Sequence, residues 1–335
     1  MDIVVSHIAA LHLIRSGYVQ RNSWLECSTE LPKGMPVPAD TRGLLDQFPQ
    51  LAALTGPIGV LVPARQLAHD TQHIRAHVWS KPLPSGALMQ VAPGVRCASP
   101  LLLPLLMVPL LKPLELQMLL SELFGLYAPS RMCDMGLLQR REPLITPSEL
   151  LEFIDAVGPI KGSAVLRKAI EKAPVLAASP QEAKLFLRVT LPYIKGGYNL
   201  GEVVLNDAVE IERLTARSKV MRTRKPDLLF LYGNAHVCLD YMGAWHDSES
   251  GVRRDTTRRN ELLAAGFKPY ELFKDHYDKL DYMDALAEKI RADLGMPRSK
   301  PSLELGQKRR RARYKLWKDL EAIDTTFWAS RQKLR

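Results

Sequence analysis

Arg224-Lys225-Pro226-Asp227-Leu228-Leu229-Phe230-Leu231-Tyr232-Gly233-Asn234-Ala235-His236-Val237-Cys238-Leu239-Asp240-Tyr241 reads as two β-strands and the turn between them. The segment 224–232 is a strand beginning after a proline, Gly233-Asn234 is a two-residue turn, and 235–241 returns antiparallel. A two-residue loop pairs Tyr232 with Ala235, so every facing pair has residue numbers that sum to 467. Asp227 then lies opposite Asp240 on one face, with β-carbons about 5 Å apart. The same count sets Lys225 opposite Met242 on that face and turns Tyr241 toward the other layer.

Two like charges across a ladder repel, and each needs water, hydrogen bonds or a cation to stay ionised in a partly buried sheet. A divalent cation resolves the conflict. Mg²⁺ prefers hard oxygen ligands and keeps several waters, and Mn²⁺ accepts the same donors. Upstream, Ser179-Pro180-Gln181-Glu182 is a helix start: Ser179 caps, Pro180 fits the first turn, and Glu182 can close a capping box. Glu182 also shares a helical face with Leu185, Phe186 and Val189, which directs its carboxylate inward and makes it a third candidate metal ligand. Lys225 is a candidate to orient a water or steady a phosphate.

Downstream of the hairpin, His246 precedes an acidic stretch, Asp247 to Gly251, and then Arg253-Arg254-Asp255-Thr256-Thr257-Arg258-Arg259. Asp255 is the expected N-cap of a helix running through Ala265 and ended by Gly266, before Phe267 to Phe273 returns as a strand. His246 titrates near neutrality and is a candidate proton-transfer group. Arg253, Arg254, Arg258 and Arg259 are candidates to hold backbone phosphate.

The ordered set Glu182, Pro226-Asp227, Asp240-Tyr241-Met242-Gly243, His246, Asp255, Arg258-Arg259-Asn260, Leu263 and Gly266 resembles the Vsr-like (very-short-patch-repair endonuclease-like) branch of the restriction-endonuclease PD-(D/E)XK superfamily. The resemblance covers roughly Ser179 to Tyr277 and extends to the C-terminal domains found beside abortive-infection AbiEi-like regulators. It implies an α/β fold, a restriction-endonuclease-like mixed central sheet flanked by helices, and Mg²⁺-dependent hydrolysis of DNA phosphodiesters in phage defence or a toxin-antitoxin system. Glu182, Asp227 and Asp240 take the positions of the family's acids. The position where the wider superfamily carries lysine is Met242 here, and a thioether neither binds Mg²⁺ well nor carries a proton. Lys225, across the expected hairpin, is the candidate replacement.

Outward from this core, the chain has 335 residues, beyond the roughly 250–300 at which a single core stops growing, so at least two domains are expected. The expected division is a mixed α+β domain over 1–130, a helical connector over 131–175, the nuclease-like domain over 176–292 and a basic helical tail over 293–335. In the first domain Ile8 to Ile14 reads as a helix and Ile58 to Val62 as a strand. Short strands are expected around 77–79, 87–89 and 94–97, followed by helices from about Ser99 to Tyr127. Ser6-His7-Ile8-Ala9-Ala10 and Cys97-Ala98-Ser99-Pro100 resemble the N-terminal halves of bacterial proteins carrying Vsr-like domains. His69, His73 and His77 are four residues apart, but a strand over Ile74 to Trp79 would break a metal-binding stripe.

The net charge is +10, of which residues 298–335 supply +8 from 12 basic and four acidic side chains. Lys308, Arg309, Arg310, Arg311 and Arg313 precede Leu316, Leu320, Ile323 and Phe327 at helical spacing, so half of the tail is expected to pack while its cations meet a polyanion. Tyr314, Trp317 and Trp328 are able to stack on bases.

Four scattered cysteines make neither a disulfide scaffold nor a zinc ribbon, and the opening residues lack a secretory pattern. The longest apolar run, Leu101 to Leu111, is interrupted by Pro104 and Pro109 and is too short to span a bilayer. A cytoplasmic protein with a nucleic-acid partner, DNA ahead of RNA, follows as the expectation, together with a regulatory protein partner. The alternatives are a catalytically degenerate DNA-binding or regulatory protein and a protein-interaction module.

Overall fold

The computed structural model describes residues 2–16, 24–34, 37–54, 56–130, 136–139, 141–212, 221–242, 249–298 and 300–323, with side chains of 38, 39, 53, 139 and 249–255 outside that description. The described chain forms two compact units, one within Met1–Ala173 and one over Pro174–Ile323.

The first unit contains β1 (Ile3–Val5), α1 (His7–Arg15), α2 (Pro38–Gln47), β2 (Ile58–Val62), β3 (Ile74–Val78), β4 (Leu88–Ala92) and β5 (Val95–Ala98). It continues with α3 (Leu103–Met107), α4 (Pro113–Leu123), β6 (Tyr127–Pro129), β7 (Leu137–Gln139), α5 (Pro147–Val157) and α6 (Ser163–Ile170). Its mixed sheet has the order β3-β2-β1-β5-β4, and β1 is buried along its whole length at the centre. Three residues are too short to show a strand period, which is why β1 has no signature in the sequence. The expected helix and the 58–62 strand are present as α1 and β2. Helices α5 and α6 pack within this unit, α6 against α4, so they do not form a separate connector. His77 lies on β3, and its ring meets His7 at 3.8 Å between centroids.

The second unit contains α7 (Pro180–Thr190), β8 (Glu202–Leu205), β9 (Val209–Glu212), β10 (Met221–Arg224), β11 (Leu228–Tyr232) and β12 (Ala235–Met242). It continues with α8 (Glu249–Ala264), β13 (Lys268–Phe273), α9 (Lys274–Tyr277), α10 (Leu280–Asp293) and α11 (Leu303–Glu321). The central sheet has the order β13-β12-β11-β8: β8, β11 and β12 are antiparallel neighbours, and β13 returns parallel to β12. The β11–β12 register runs from Tyr232↔Ala235 to Leu228↔Leu239, so each pair sums to 467 as the turn requires. On one face Leu229 and Cys238 form a core with Ile211 of β9 and Leu262 of α8. On the other, Tyr241 packs edge-on against Tyr277 of α9.

Two expectations about this unit are corrected, and the packing expected of part of the basic segment is present. The central strand begins after Pro226 as expected, at Leu228, but the register counted out to Lys225 stops there, and Met221–Arg224 pairs with β9 instead. Pro226 has no amide hydrogen to carry the ladder on, so Lys225 lies outside it, while on the other edge of β12 Met242 pairs with Phe273. Helix α8 starts at Glu249, ahead of Asp255, because packing against β13 and β9 outweighs the poor helix propensity of Gly251 and Asp255. The basic segment is part of the folded unit. Leu316, Leu320 and Ile323 are buried, and Gly196 and Gly197 let the turn after α7 approach other backbone closely. A β-carbon at Gly196 would sit 2.3 Å from the Ala312 carbonyl oxygen of α11, and one at Gly197 would sit 1.8 Å from that of Leu191. Phe327 and Trp328 lie outside the described residues.

Among the described residues no helix is long and apolar enough to cross a membrane. Cys27, Cys97 and Cys238 are free thiols.

Candidate functional site

The hairpin ladder ends where its two acids begin. Beyond Leu228↔Leu239, side chains replace the backbone ladder. The Asp227 amide donates to Asp240 Oδ1 at 3.0 Å, and the Tyr241 amide donates to Asp227 Oδ2 at 2.6 Å. Each carboxylate is thereby fixed by the opposite strand, and the two are held side by side. Asp227 Oδ1 receives no hydrogen bond among the described residues.

Helix α8 closes this edge. Glu261 is buried and pairs with Arg224 of β10 and, at 3.9 Å, with Arg222, which pins the helix against the sheet. One turn earlier, Arg258 donates to the Lys225 carbonyl at 2.7 Å and to Asp240 Oδ1 at 3.0 Å. The result is a pocket of about 110 Å³ walled by Asp227, Asp240, Met242, Arg258, Arg259 and Glu271 among others. Arg259 is exposed and has no ion pair among the described residues.

Helix α7 brings Glu182 to the neighbourhood but not as a free ligand. Its Oε2 accepts from the Ala178 amide at 2.9 Å and from Asn206 Nδ2 at 2.7 Å, while Oε1 accepts from the Ser179 hydroxyl at 2.9 Å. Asn206 is the clasp. Its amide donates to the Asp227 carbonyl and its side chain also reaches the Leu176 carbonyl, so one residue ties the α7 cap to the strand that carries Asp227. Its φ of 50° is a left-handed conformation that asparagine tolerates better than most residues.

The electrostatics follow from this crowding. Burial, then the charge of Glu182, then that of Asp240 push the Asp227 carboxyl up to about 8, against weaker lowering by the Tyr241 amide and Arg258. Burial also raises Glu182, and its three hydrogen bonds only partly offset this. A group of acids in this state holds a proton near neutrality or gives it up to a cation.

No family model, curated protein or solved structure matches the chain. The site is therefore read from its own atoms.

Of the residues singled out in the sequence, Asp227, Asp240, Arg258 and Arg259 share one pocket. Glu182 stands behind it with its oxygens occupied. Lys225 contributes its carbonyl to Arg258, while its side chain is exposed and makes no ion pair among the described residues. His246 and the side chains of Arg253 and Arg254 lie outside the described residues. In the basic helix, Arg309 lies over the Tyr193 ring, Arg310 pairs with Asp281 and Asp284, and Arg313 pairs with Asp284. Only Lys308 and Arg311 of the five have no such partner among the described residues.

Two residues of the site were missed in the sequence. Glu271 sits opposite Asp240 in the parallel β12–β13 register, on the same face and in the pocket wall. Its signal was only that a strand was expected there, because a parallel partner's register cannot be counted from a turn. Asn206 had a signal, an Asn-Asp pair after a short apolar run.

Among the described residues no three His, Cys, Asp or Glu side chains are arranged to hold a metal ion. Two adjacent carboxylates facing a small polar pocket nevertheless fit Mg²⁺ or Mn²⁺. Mg²⁺ in particular usually binds through one or two carboxylates, its own waters and a substrate phosphate. Asp227 and Asp240 would be the donors of that set, with Glu271 next to them.

Proposed function

We propose that the second unit is a metal-dependent phosphodiesterase acting on nucleic acid, DNA ahead of RNA, as a cytoplasmic endonuclease in phage defence or a toxin-antitoxin system. The observation that supports it is the Asp227–Asp240 pair, held side by side by reciprocal hydrogen bonds to the opposite strand's amides, with Asp227 raised to about 8. Asp227 and Asp240 would hold a hard divalent cation, which would supply charge stabilisation at the phosphoryl oxygens and a water of lowered pKa. The chain's residues do the rest. Asp227 releases its proton when positive charge arrives, Arg258 moves between Asp240 and substrate phosphate, and Arg259 offers an exposed guanidinium to the backbone. Glu182 adds negative charge behind the pair and favours cation entry.

Purified protein incubated with double- and single-stranded DNA tests this reading. The expected result is cleavage in Mg²⁺ or Mn²⁺ that stops in chelator and in an Asp240→Asn variant. Intact DNA under every condition, with no cation bound, would overturn it.

A second reading, binding without turnover, draws on two features of the pocket: Met242 in its wall and Arg258 already paired with Asp240. It predicts salt-sensitive DNA binding that persists in chelator and in Asp240→Asn, with no cleavage.

A further inference from the structure

A second cavity of about 620 Å³ lies in the same unit, bordered by α7, the turn from α9 into α10, and α11. Its volume falls in the range of about 300–1,000 Å³ typical of small-molecule sites. Arg188 comes from α7, and Gln307, Arg310, Arg311, Tyr314 and Trp317 come from one stripe of α11.

The chemistry of this wall is specific. Tyr314 is 50% exposed, and its ring lies 5.7 Å from that of Trp317 at 44°. These aromatic surfaces have the form of a base-stacking platform. The Trp317 indole N–H is buried with no acceptor among the described residues, so the groove meets the ring itself and not its N–H. Three arginines against Asp278 leave the lining cationic. Arg188 is spoken for, since it donates to the Tyr277 carbonyl at 2.7 Å and covers the Tyr277 ring. Arg310 is held by the exposed Asp281 and the half-buried Asp284, whereas Arg311 is exposed and without an ion pair among the described residues. Gln307 carries the donor and acceptor needed at a base edge.

We propose that this groove seats a nucleotide unit of single-stranded nucleic acid, with Tyr314 and Trp317 stacked against the base, Gln307 at its edge and Arg311 on its phosphate. The inference deepens the nucleic-acid reading of the hairpin edge and rests on that reading for the choice of polymer. A free nucleotide presents the same base and phosphate, so the test separates the two sources.

The full chain is titrated in chelator with a labelled single-stranded oligonucleotide, following anisotropy and tryptophan emission. Tyr314→Ala is expected to weaken binding roughly ten-fold while Tyr314→Phe preserves it, because the ring face carries the contact. Arg311→Ala is expected to lower the salt slope by about one, whereas the exposed, charge-matched control Lys168→Ala in the other unit does not. Quenching of emission disappears in Trp317→Phe. A mononucleotide that displaces the oligonucleotide at equal concentration keeps the seat and assigns it to free nucleotides. Equal binding by the wild type, Tyr314→Ala and Arg311→Ala overturns the proposal. Because the titration needs neither a cation nor cleavage, its outcome is independent of whether the hairpin edge hydrolyses DNA.

Discussion

Helix α11 and the hairpin edge both concentrate charge of one sign, and the fold treats them differently. In α11, Arg310 and Arg313 converge on Asp284, which also accepts from the Tyr198 hydroxyl, and Arg309 and Arg313 lie over the Tyr193 and Tyr198 rings. Much of that basic run is thus satisfied inside the unit. At the hairpin edge, Glu182 and Asp240 stay close enough to Asp227 to raise its proton affinity, Asp240 also raises that of Glu182, and Arg258 pairs with Asp240. A charge run in sequence is therefore no measure of a site, because the fold decides how each member of it is partnered.

The largest expected effect breaks the acidic side of this comparison. Asp227→Asn keeps the shape and an acceptor for the Tyr241 amide but loses the negative charge, and DNA cleavage should fall by about 10²–10³-fold. Gel assays of initial rate measure it. On the basic side, Arg313→Ala removes the pairing with Asp284 and the contact with Tyr198, and should destabilise the unit by roughly 1–3 kcal/mol in urea melts.

The next effect is a pH dependence. The folded Asp227 holds its proton up to about 8, whereas an unfolded carboxyl loses it near 4. Its contribution to stability is therefore complete below the ordinary carboxylate range and is lost as pH rises through about 8. Wild-type Tm should fall over that window and Asp227→Asn should flatten the fall, each kcal/mol appearing as about 2–4 °C. Scanning calorimetry at several pH values checks this. The smallest effect sharpens the contrast inside α11: Lys308→Ala should change stability by less than about 0.5 kcal/mol, yet lower the salt slope of DNA binding by about one.

The legible parts of the molecule share a local cause. The Gly233-Asn234 turn fixes its own register, so the facing of Asp227 and Asp240 could be counted, and Ser179-Pro180 announced the start of α7 one residue ahead of its first helical position. What was hidden depends on distant chain. Glu271 enters the site only because β13 crosses over to lie parallel with β12, and Glu182 loses its freedom to Asn206 on another element. Lys225 escapes the count because Pro226, with no amide hydrogen, ends the ladder before it. The docking of α11 depends on Gly196, whose role is steric and leaves no periodic trace.

The central claim, that Asp227 and Asp240 together hold a divalent cation, is tested most directly by calorimetric titration of Mn²⁺ into the wild type and Asp240→Asn at pH 6 and pH 8.5. The account predicts one site in the wild type that tightens toward the higher pH as Asp227 sheds its proton, and that is lost in the variant. Identical binding by both chains, or none by either, would contradict it.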